Sequence, residues 1–148
     1  MFKKVDHIAI AVRDLKESRR KLEGLFGAKF IVEAMNEKGQ YRVAIFRVGE
    51  NVFTLLESTH PEGFVAKHID RYGETIQHMG IEVDDIQKFI DHLHTHGLKA
   101  TNYAEVAGAR KEVLVGPKNP LGVILQVFEW VGEYKNATPE ERMTKVWA

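Results

Sequence analysis

The sequence lacks cysteine altogether, and none of its apolar runs approaches the ~18 residues that a membrane-spanning helix needs. The absence of cysteine excludes disulfide bonds, zinc–thiolate sites and a cysteine nucleophile. The first ten residues, MFKKVDHIAI, lack the apolar core of a signal peptide. We therefore expect a cytoplasmic protein that does not enter a membrane.

An excess of charge is also lacking, because 21 Lys and Arg residues balance 21 Asp and Glu residues. Zero net charge argues against nucleic acid or an anionic membrane surface as the main partner. The chain has 148 residues, of which 44% are hydrophobic and 28% charged. These values predict a globular protein with one domain, or with two small halves that share a core.

What the sequence does contain is an internal repeat. Residues 5–15 read VDHIAIAVRDL and residues 76–86 read IQHMGIEVDDI, so that His7 aligns with His78 at an offset of 71 residues. The other matched positions are Ile10 with Ile81, Val12 with Val83, and Asp14 with Asp85. A repeat at the start of each half predicts a duplicated unit of about 70 residues.

Each half predicts the same element order, β-α-β-β-β, because a strand-like run leads to an Asp cap, an amphipathic helix and three further strand-like runs. The expected class is therefore α+β. The predicted bounds are 1–59 for the first βαβββ module, 60–75 for a connector that can hold one short helix, 76–130 for the second module and 131–148 for a helical tail. In the tail, Thr138 and Pro139 predict a helix start, with the helix running from about 139 to 147.

Alternation along each lead strand predicts where its histidine lies. Alternate residues of a strand share a face, so His7 lies with Ala9 and Ala11, and His78 lies with Gly80 and Glu82. The opposite faces carry branched residues that suit packing against the helices. Small neighbours leave room beside each histidine, which favours a cavity. A lone histidine on a strand is ordinarily a hydrogen-bonded or edge residue, but a repeated pair favours metal binding.

These motifs together resemble the vicinal oxygen chelate superfamily, which includes glyoxalase I and extradiol dioxygenases, and within it the methylmalonyl-CoA epimerases. The resemblance covers about residues 4–130. It depends on DHIAIAVRDL (6–15), HMGIEVDDI (78–86), GPK (116–118) and LGVILQVFE (121–129). It implies two paired βαβββ modules forming a U-shaped, partly open barrel-like sheet with a central cavity, a divalent metal and a homodimer.

The resemblance also implies the metal ligands. The lead-strand positions are His7 and His78. The last-strand positions fall at Thr54, where the epimerases carry glutamine or glutamate, and at Gln126, where they carry glutamate. Gln126 offers an amide oxygen, and Thr54 offers at best a weak hydroxyl ligand. Glu57 and Glu129 lie three residues further on, an odd separation that predicts the opposite face unless a bulge intervenes. The metal could be Co, Mn, Ni, Zn or Fe.

The activity implied is that of an isomerase, epimerase or lyase acting on a small acyl or oxo-acid substrate, with an acyl-CoA among the candidates. The family's catalytic base falls at Arg42, which stays protonated and would instead bind a substrate anion. Because the other expected base falls at Gln126, the catalytic base is unknown. Two alternatives therefore stay open: a non-catalytic small-molecule-binding protein of the same fold, and a dioxygenase-like relative using Glu82 as its carboxylate.

Overall fold

The computed structural model describes residues 1–147, which form eight β-strands, four α-helices and one 3-10 helix. Two βαβββ modules follow one another along the chain, and the predicted α+β class is confirmed. The elements are β1 (Phe2–Ala11), α1 (Leu15–Phe26), β2 (Lys29–Asn36), β3 (Tyr41–Val48), β4 (Asn51–Ser58), α2 (Phe64–Tyr72), β5 (Ile76–Val83), α3 (Ile86–Thr95), β6 (Ala100–Val106), β7 (Arg110–Val115), β8 (Ile124–Trp130), the 3-10 helix (Gly132–Asn136) and α4 (Pro139–Trp147).

The strands pair in the order β2-β3-β4-β1-β5-β8-β7-β6, which makes one mixed sheet that is not closed. In each module the first strand lies parallel to the last, β1 with β4 and β5 with β8. The remaining pairs within a module are antiparallel hairpin neighbours. The two modules therefore have the same connectivity, as the internal repeat predicts. Within residues 1–147, no helix is long and apolar enough to cross a membrane.

The chain divides into two compact units whose bounds differ from those of the repeat. One unit contains His7–Gln77 with Trp147, and the other contains Met1–Asp6 with His78–Val146. The first residues of β1 belong to the unit that contains the second module, and the side chains of Lys3 and Lys4 form ion pairs in that unit. The ammonium groups of Lys3 and Lys4 lie 3.5 and 3.7 Å from the Glu82 carboxylate.

In each module one face of the sheet packs against the helix that follows the lead strand. In the first module, Val12 and Phe46 form a buried cluster with Leu15 of α1, and the partly buried Ile10 and Leu22 pack against it. The equivalent cluster of the second module joins sheet residues to Ile86 and Phe89 of α3, and its sheet residues are Met79, Ile81, Val83, Val113, Val115, Leu125 and Val127. The branched faces of both lead strands therefore bury against helices, as their alternation predicts.

Two carboxylates hold the start of each of these helices. The Asp14 side chain accepts a hydrogen bond from the Glu17 backbone N–H at 2.9 Å, and Glu57 of β4 accepts one from the Leu15 N–H at 2.7 Å. Both interactions satisfy amides that have no partner within the helix, and they place negative charge at the positive end of the helix dipole.

The second module repeats this arrangement. Asp85 accepts from the Lys88 N–H at 3.0 Å, and Glu129 of β8 accepts from the Ile86 N–H at 3.0 Å. The hydrogen bond from the Lys88 amide lowers the pKa of Asp85 below its ordinary value. One carboxylate on the helix and one on the last strand therefore fix each helix to its sheet.

We expect Glu57→Ala and Glu129→Ala each to lower the free energy of unfolding by about 1–2 kcal/mol, because each leaves the first amide of a helix without its charged acceptor. Urea denaturation measures the change. Glu105→Ala on the exposed strand β6, where the glutamate accepts only from the Tyr103 hydroxyl, is the matched control with an expected change within about 0.5 kcal/mol. Equal effects at all three positions would contradict the capping role.

Candidate metal-binding faces

The second module places His78 and Gln126 on one face, opposite the face that packs against α3. In the β5–β8 register, Gly80 lies directly beside Gln126, and His78 lies two residues before Gly80 on the same strand. Gly80 has no side chain, so nothing on β5 stands beside the Gln126 amide. His78 and Gln126 are thus diagonal neighbours, a separation that long side chains can bridge.

The first module repeats this register. Ala9 lies directly beside Thr54 in the β1–β4 pair, and His7 precedes Ala9 by two residues on β1. His7 and Thr54 therefore share the face opposite α1. The β1 residue directly beside Thr54 is Ala9, whose side chain is a single methyl group. The relation of His7, Ala9 and Thr54 is the same as that of His78, Gly80 and Gln126. The duplicated sequence thus presents one histidine and one polar last-strand residue twice.

Thr54 carries an unusual feature. Its side chain is 5% exposed, and its Oγ1 has no hydrogen-bond partner among the described residues. A buried hydroxyl without a partner is destabilising by roughly 1–3 kcal/mol. Such a hydroxyl is suited to hydrogen bonding with a bound molecule on this face.

Arg42 does not join these residues. The β3–β4 register pairs Arg42 with Glu57 and Ile45 with Thr54, so Arg42 lies on the helix-packing face and Thr54 on the other. The second module has the same arrangement, because Lys111 pairs with Glu129. Each basic residue therefore lies across from a helix-capping glutamate. The predicted binding of a substrate anion by Arg42 would therefore take place on the face opposite His7 and Thr54.

The two glutamates near the ligand positions stay on the helix-packing face. The registers of β4 and β8 with their neighbours run without a bulge, and both carboxylates accept hydrogen bonds from helix amides. Neither Glu57 nor Glu129 therefore supplies the carboxylate that Thr54 and Gln126 lack. The odd spacing in the sequence predicts this outcome.

Glu82 shares the face of His78 but is occupied by an ion pair. Its carboxylate, 2% exposed as a residue, accepts from Nη1 and Nη2 of Arg142 at 3.1 and 3.3 Å. The Arg142 Nε and Nη2 also donate to the carbonyl oxygens of Tyr134 and Lys135. A carboxylate in this pair is not available to complete a two-histidine, one-carboxylate iron site, which disfavours the dioxygenase-like alternative.

A second carboxylate on this face, Glu112, was not expected from the sequence. Glu112 of β7 pairs with Phe128, which is two residues from Gln126 on β8. Its Oε2 accepts from Arg110 Nε at 2.9 Å and from Gln126 Nε2 at 3.5 Å. The available signal was the Arg-x-Glu alternation of β7, which places both side chains on one face.

In residues 1–147 no group of three or more His, Asp or Glu side chains is arranged to hold a metal ion. The predicted ligand set contains two histidines, an amide and a hydroxyl. Because only two of these four residues are His, Asp or Glu, this set does not require a group of three such side chains.

The structure has paired βαβββ modules, each with a histidine on the lead strand and a polar residue diagonal to it on the last strand. This arrangement is typical of the vicinal oxygen chelate class of proteins. The Glyoxalase/Bleomycin resistance protein/Dioxygenase superfamily matches residues 6–114, and the chain belongs to this superfamily. The resemblance drawn from the motifs is therefore confirmed.

Known proteins similar to this chain include methylmalonyl-CoA epimerases. The mitochondrial methylmalonyl-CoA epimerase of Dictyostelium discoideum is 29% identical over 135 residues, covering 85% of this chain and 78% of that protein. A hypothetical protein of Bacillus halodurans has a structure that superposes with a TM-score of 0.79 at 27% identity, covering 90% and 98% of the two chains.

A variant of the Streptomyces coelicolor methylmalonyl-CoA epimerase in complex with 2-nitronate-propionyl-CoA superposes with a TM-score of 0.78 at 19% identity, covering 89% of this chain and 100% of that one. At that identity the similarity establishes the fold. The homodimer and the cytoplasmic location stay predictions.

We expect Thr54→Val to raise the free energy of unfolding of the metal-free protein by about 1 kcal/mol, because valine keeps the shape and removes a buried hydroxyl without a protein partner. Thr101→Val, at an exposed position of β6, is the matched control with an expected change within about 0.5 kcal/mol. A loss of stability in Thr54→Val would show that the hydroxyl has a stabilising partner.

We expect Glu82→Gln to lower the free energy of unfolding by about 3–5 kcal/mol, because it leaves the buried Arg142 guanidinium without its carboxylate partner. Arg142→Met should cost less, because Lys3 and Lys4 still lie 3.5 and 3.7 Å from the Glu82 carboxylate. The double variant Glu82→Met/Arg142→Met should recover most of that loss, which a double-mutant cycle in urea measures. Arg20→Gln, which breaks an exposed pair with Glu17, should cost about 1 kcal/mol or less. Additive losses in the double variant would contradict this interpretation of the pair.

Proposed function

We propose that this chain is a divalent-metal-dependent isomerase or lyase that acts on a small acyl or oxo-acid substrate, with acyl-CoA thioesters as the preferred class. His7, His78 and Gln126 are the proposed metal ligands, and Thr54 contributes weakly. The observation that carries the proposal is the repeated register, in which each lead-strand histidine has the same diagonal relation to the polar residue of the last strand.

The donor chemistry of these residues supports a divalent metal. Neutral imidazole suits Zn, Co, Ni and Fe, and an amide oxygen is an acceptable neutral donor beside it. The Thr54 hydroxyl, without a partner in the described part of the chain, supports hydrogen bonding to a group bound on that face. When bound, a divalent metal supplies Lewis acidity that polarises a carbonyl oxygen of the substrate.

The substrate class is supported by the relatives. The Dictyostelium protein is a methylmalonyl-CoA epimerase, and the Streptomyces epimerase variant binds a propionyl-CoA derivative. Both act on or bind an acyl group carried by CoA. We extend that class to this chain because the similarity covers most of it, and we leave the identity of the acyl group open.

A non-catalytic binding protein is the second candidate, and one observation favours it. Glu82 and Glu112, the two carboxylates described on the His78 face, are each bonded to an arginine. A carboxylate oxygen that already accepts from a guanidinium is less accessible to a proton of a bound substrate. If neither carboxylate accepts a proton, the protein would bind its ligand without isomerising it.

Metal binding is tested by titrating chelator-treated protein with CoCl2 in a calorimeter. We expect about one Co²⁺ per chain. His7→Ala and His78→Ala should each weaken Co²⁺ binding by more than about 100-fold, because loss of a residue that only hydrogen-bonds a ligand already costs about 10–100-fold. His94→Ala, at an exposed position of α3, is the matched control and should bind like the wild-type protein. Wild-type protein that binds no Co²⁺, Mn²⁺, Ni²⁺ or Zn²⁺ would refute the proposed function.

Catalysis is tested with the metal-loaded protein in D2O. We expect metal-dependent deuterium exchange at the carbon adjacent to the thioester or keto carbonyl of at least one substrate from a panel of acyl-CoA thioesters and small 2-oxo acids, followed by NMR and mass spectrometry. The exchange should be absent from His7→Ala/His78→Ala. Metal binding without exchange anywhere in the panel would favour the non-catalytic candidate.

A further inference from the structure

Glu112, Arg110 and Gln126 form a short chain of contacts on the His78 face of the second module. Arg110 is 5% exposed, and its guanidinium carbon lies 4.2 Å from the ring centre of Phe128 and 5.4 Å from that of Trp130. Its Nε donates to Glu112 Oε2 at 2.9 Å. Stacking on two aromatic rings and a charged hydrogen bond together hold Glu112 in one position.

The position of Glu112 determines which way the Gln126 amide faces. An ionised carboxylate only accepts hydrogen bonds, and the Gln126 group that lies 3.5 Å from Glu112 Oε2 is the Nε2 donor. The opposite orientation would bring the amide oxygen against a negative charge. The contact is long for a hydrogen bond, but repulsion between the amide oxygen and the carboxylate disfavours the flipped amide, so the orientation with Nε2 toward Glu112 is favoured.

Once Nε2 faces Glu112, Oε1 faces away from it. Gly80, directly beside Gln126, leaves no side chain on β5 to compete for that oxygen. The negative charge next to Nε2 also polarises the amide and increases electron density on Oε1. The amide oxygen is thereby a better metal donor than an amide with no charged neighbour.

We propose that Glu112 is a positioning residue that orients and polarises Gln126 as an oxygen ligand, with Arg110 holding Glu112 in place. The inference rests on the proposed function, because it assumes that Gln126 binds metal. It assigns a role to a residue that the family resemblance does not mark. The negative charge that the epimerases carry on the ligand itself lies here on the neighbouring strand.

The test compares Co²⁺ binding by wild-type protein, Glu112→Gln, and the exchange variant Glu112→Gln/Gln126→Glu, using calorimetry and the visible spectrum of bound Co²⁺. We expect Glu112→Gln to weaken binding about 10–100-fold, as loss of an outer-shell partner does. The exchange variant returns the negative charge to the ligand and should bind at least as tightly as the wild type. Thermal unfolding of each metal-free variant checks its fold.

Glu129→Gln is the matched control, because it alters a carboxylate of β8 that caps α3 from the opposite face. It should lower stability and leave Co²⁺ affinity unchanged. If Glu112→Gln binds Co²⁺ as the wild type does, or if Glu129→Gln weakens binding equally, the inference fails and the proposed function stands. If the exchange variant does not recover binding, the inference also fails.

If the wild-type protein binds no metal, the inference and the proposed function fail together. Should Glu112→Gln not fold, Glu112→Asp replaces it, because aspartate keeps the charge but withdraws it by one methylene group. We then expect binding weakened several-fold, and unchanged affinity would overturn the inference.

Discussion

The feature on which both modules depend is the hydrogen bond between a last-strand glutamate and the first amide of the module's helix. Glu57 binds the Leu15 N–H and Glu129 binds the Ile86 N–H. Each bond fixes which face of the sheet carries the helix, because side chains alternate strictly along a strand without bulges. The other face is thereby left to Thr54 and Gln126 on the last strands and to His7 and His78 on the lead strands.

This division explains the distribution of charge in each module. The capping glutamates lie beside Arg42 and Lys111 in the register of the neighbouring strand, so both pairs of opposite charge lie on the helix-packing face. On the opposite face, Thr54 and Gln126 are neutral, and Glu82 and Glu112 are each bonded to arginine. The histidine faces are therefore less negative than the resemblance to epimerases implies.

The sequence predicted what depends on short-range patterns, including the element order, the Asp caps and the face of each histidine. The position of Arg42 was also within reach, because a two-residue turn at Gly49 pairs Val48 with Asn51 and hence Arg42 with Glu57. Contacts made across strands or by the tail were not within reach, since nothing local encodes them. Asp6 and Trp130, whose side chains bond at 2.8 Å, are 124 residues apart.

Moving a carboxylate from the ligand to its neighbour changes what the proposed site can do. A neutral amide would neutralise less of the positive charge of a bound divalent metal than a carboxylate does, so such a metal would supply stronger Lewis acidity. The cost is weaker metal binding and the loss of a base at Gln126. Under the inference above, Glu112 offsets part of the weaker metal binding, because its carboxylate lies beside the Gln126 amide. Such a site favours stabilising an anion over removing a proton.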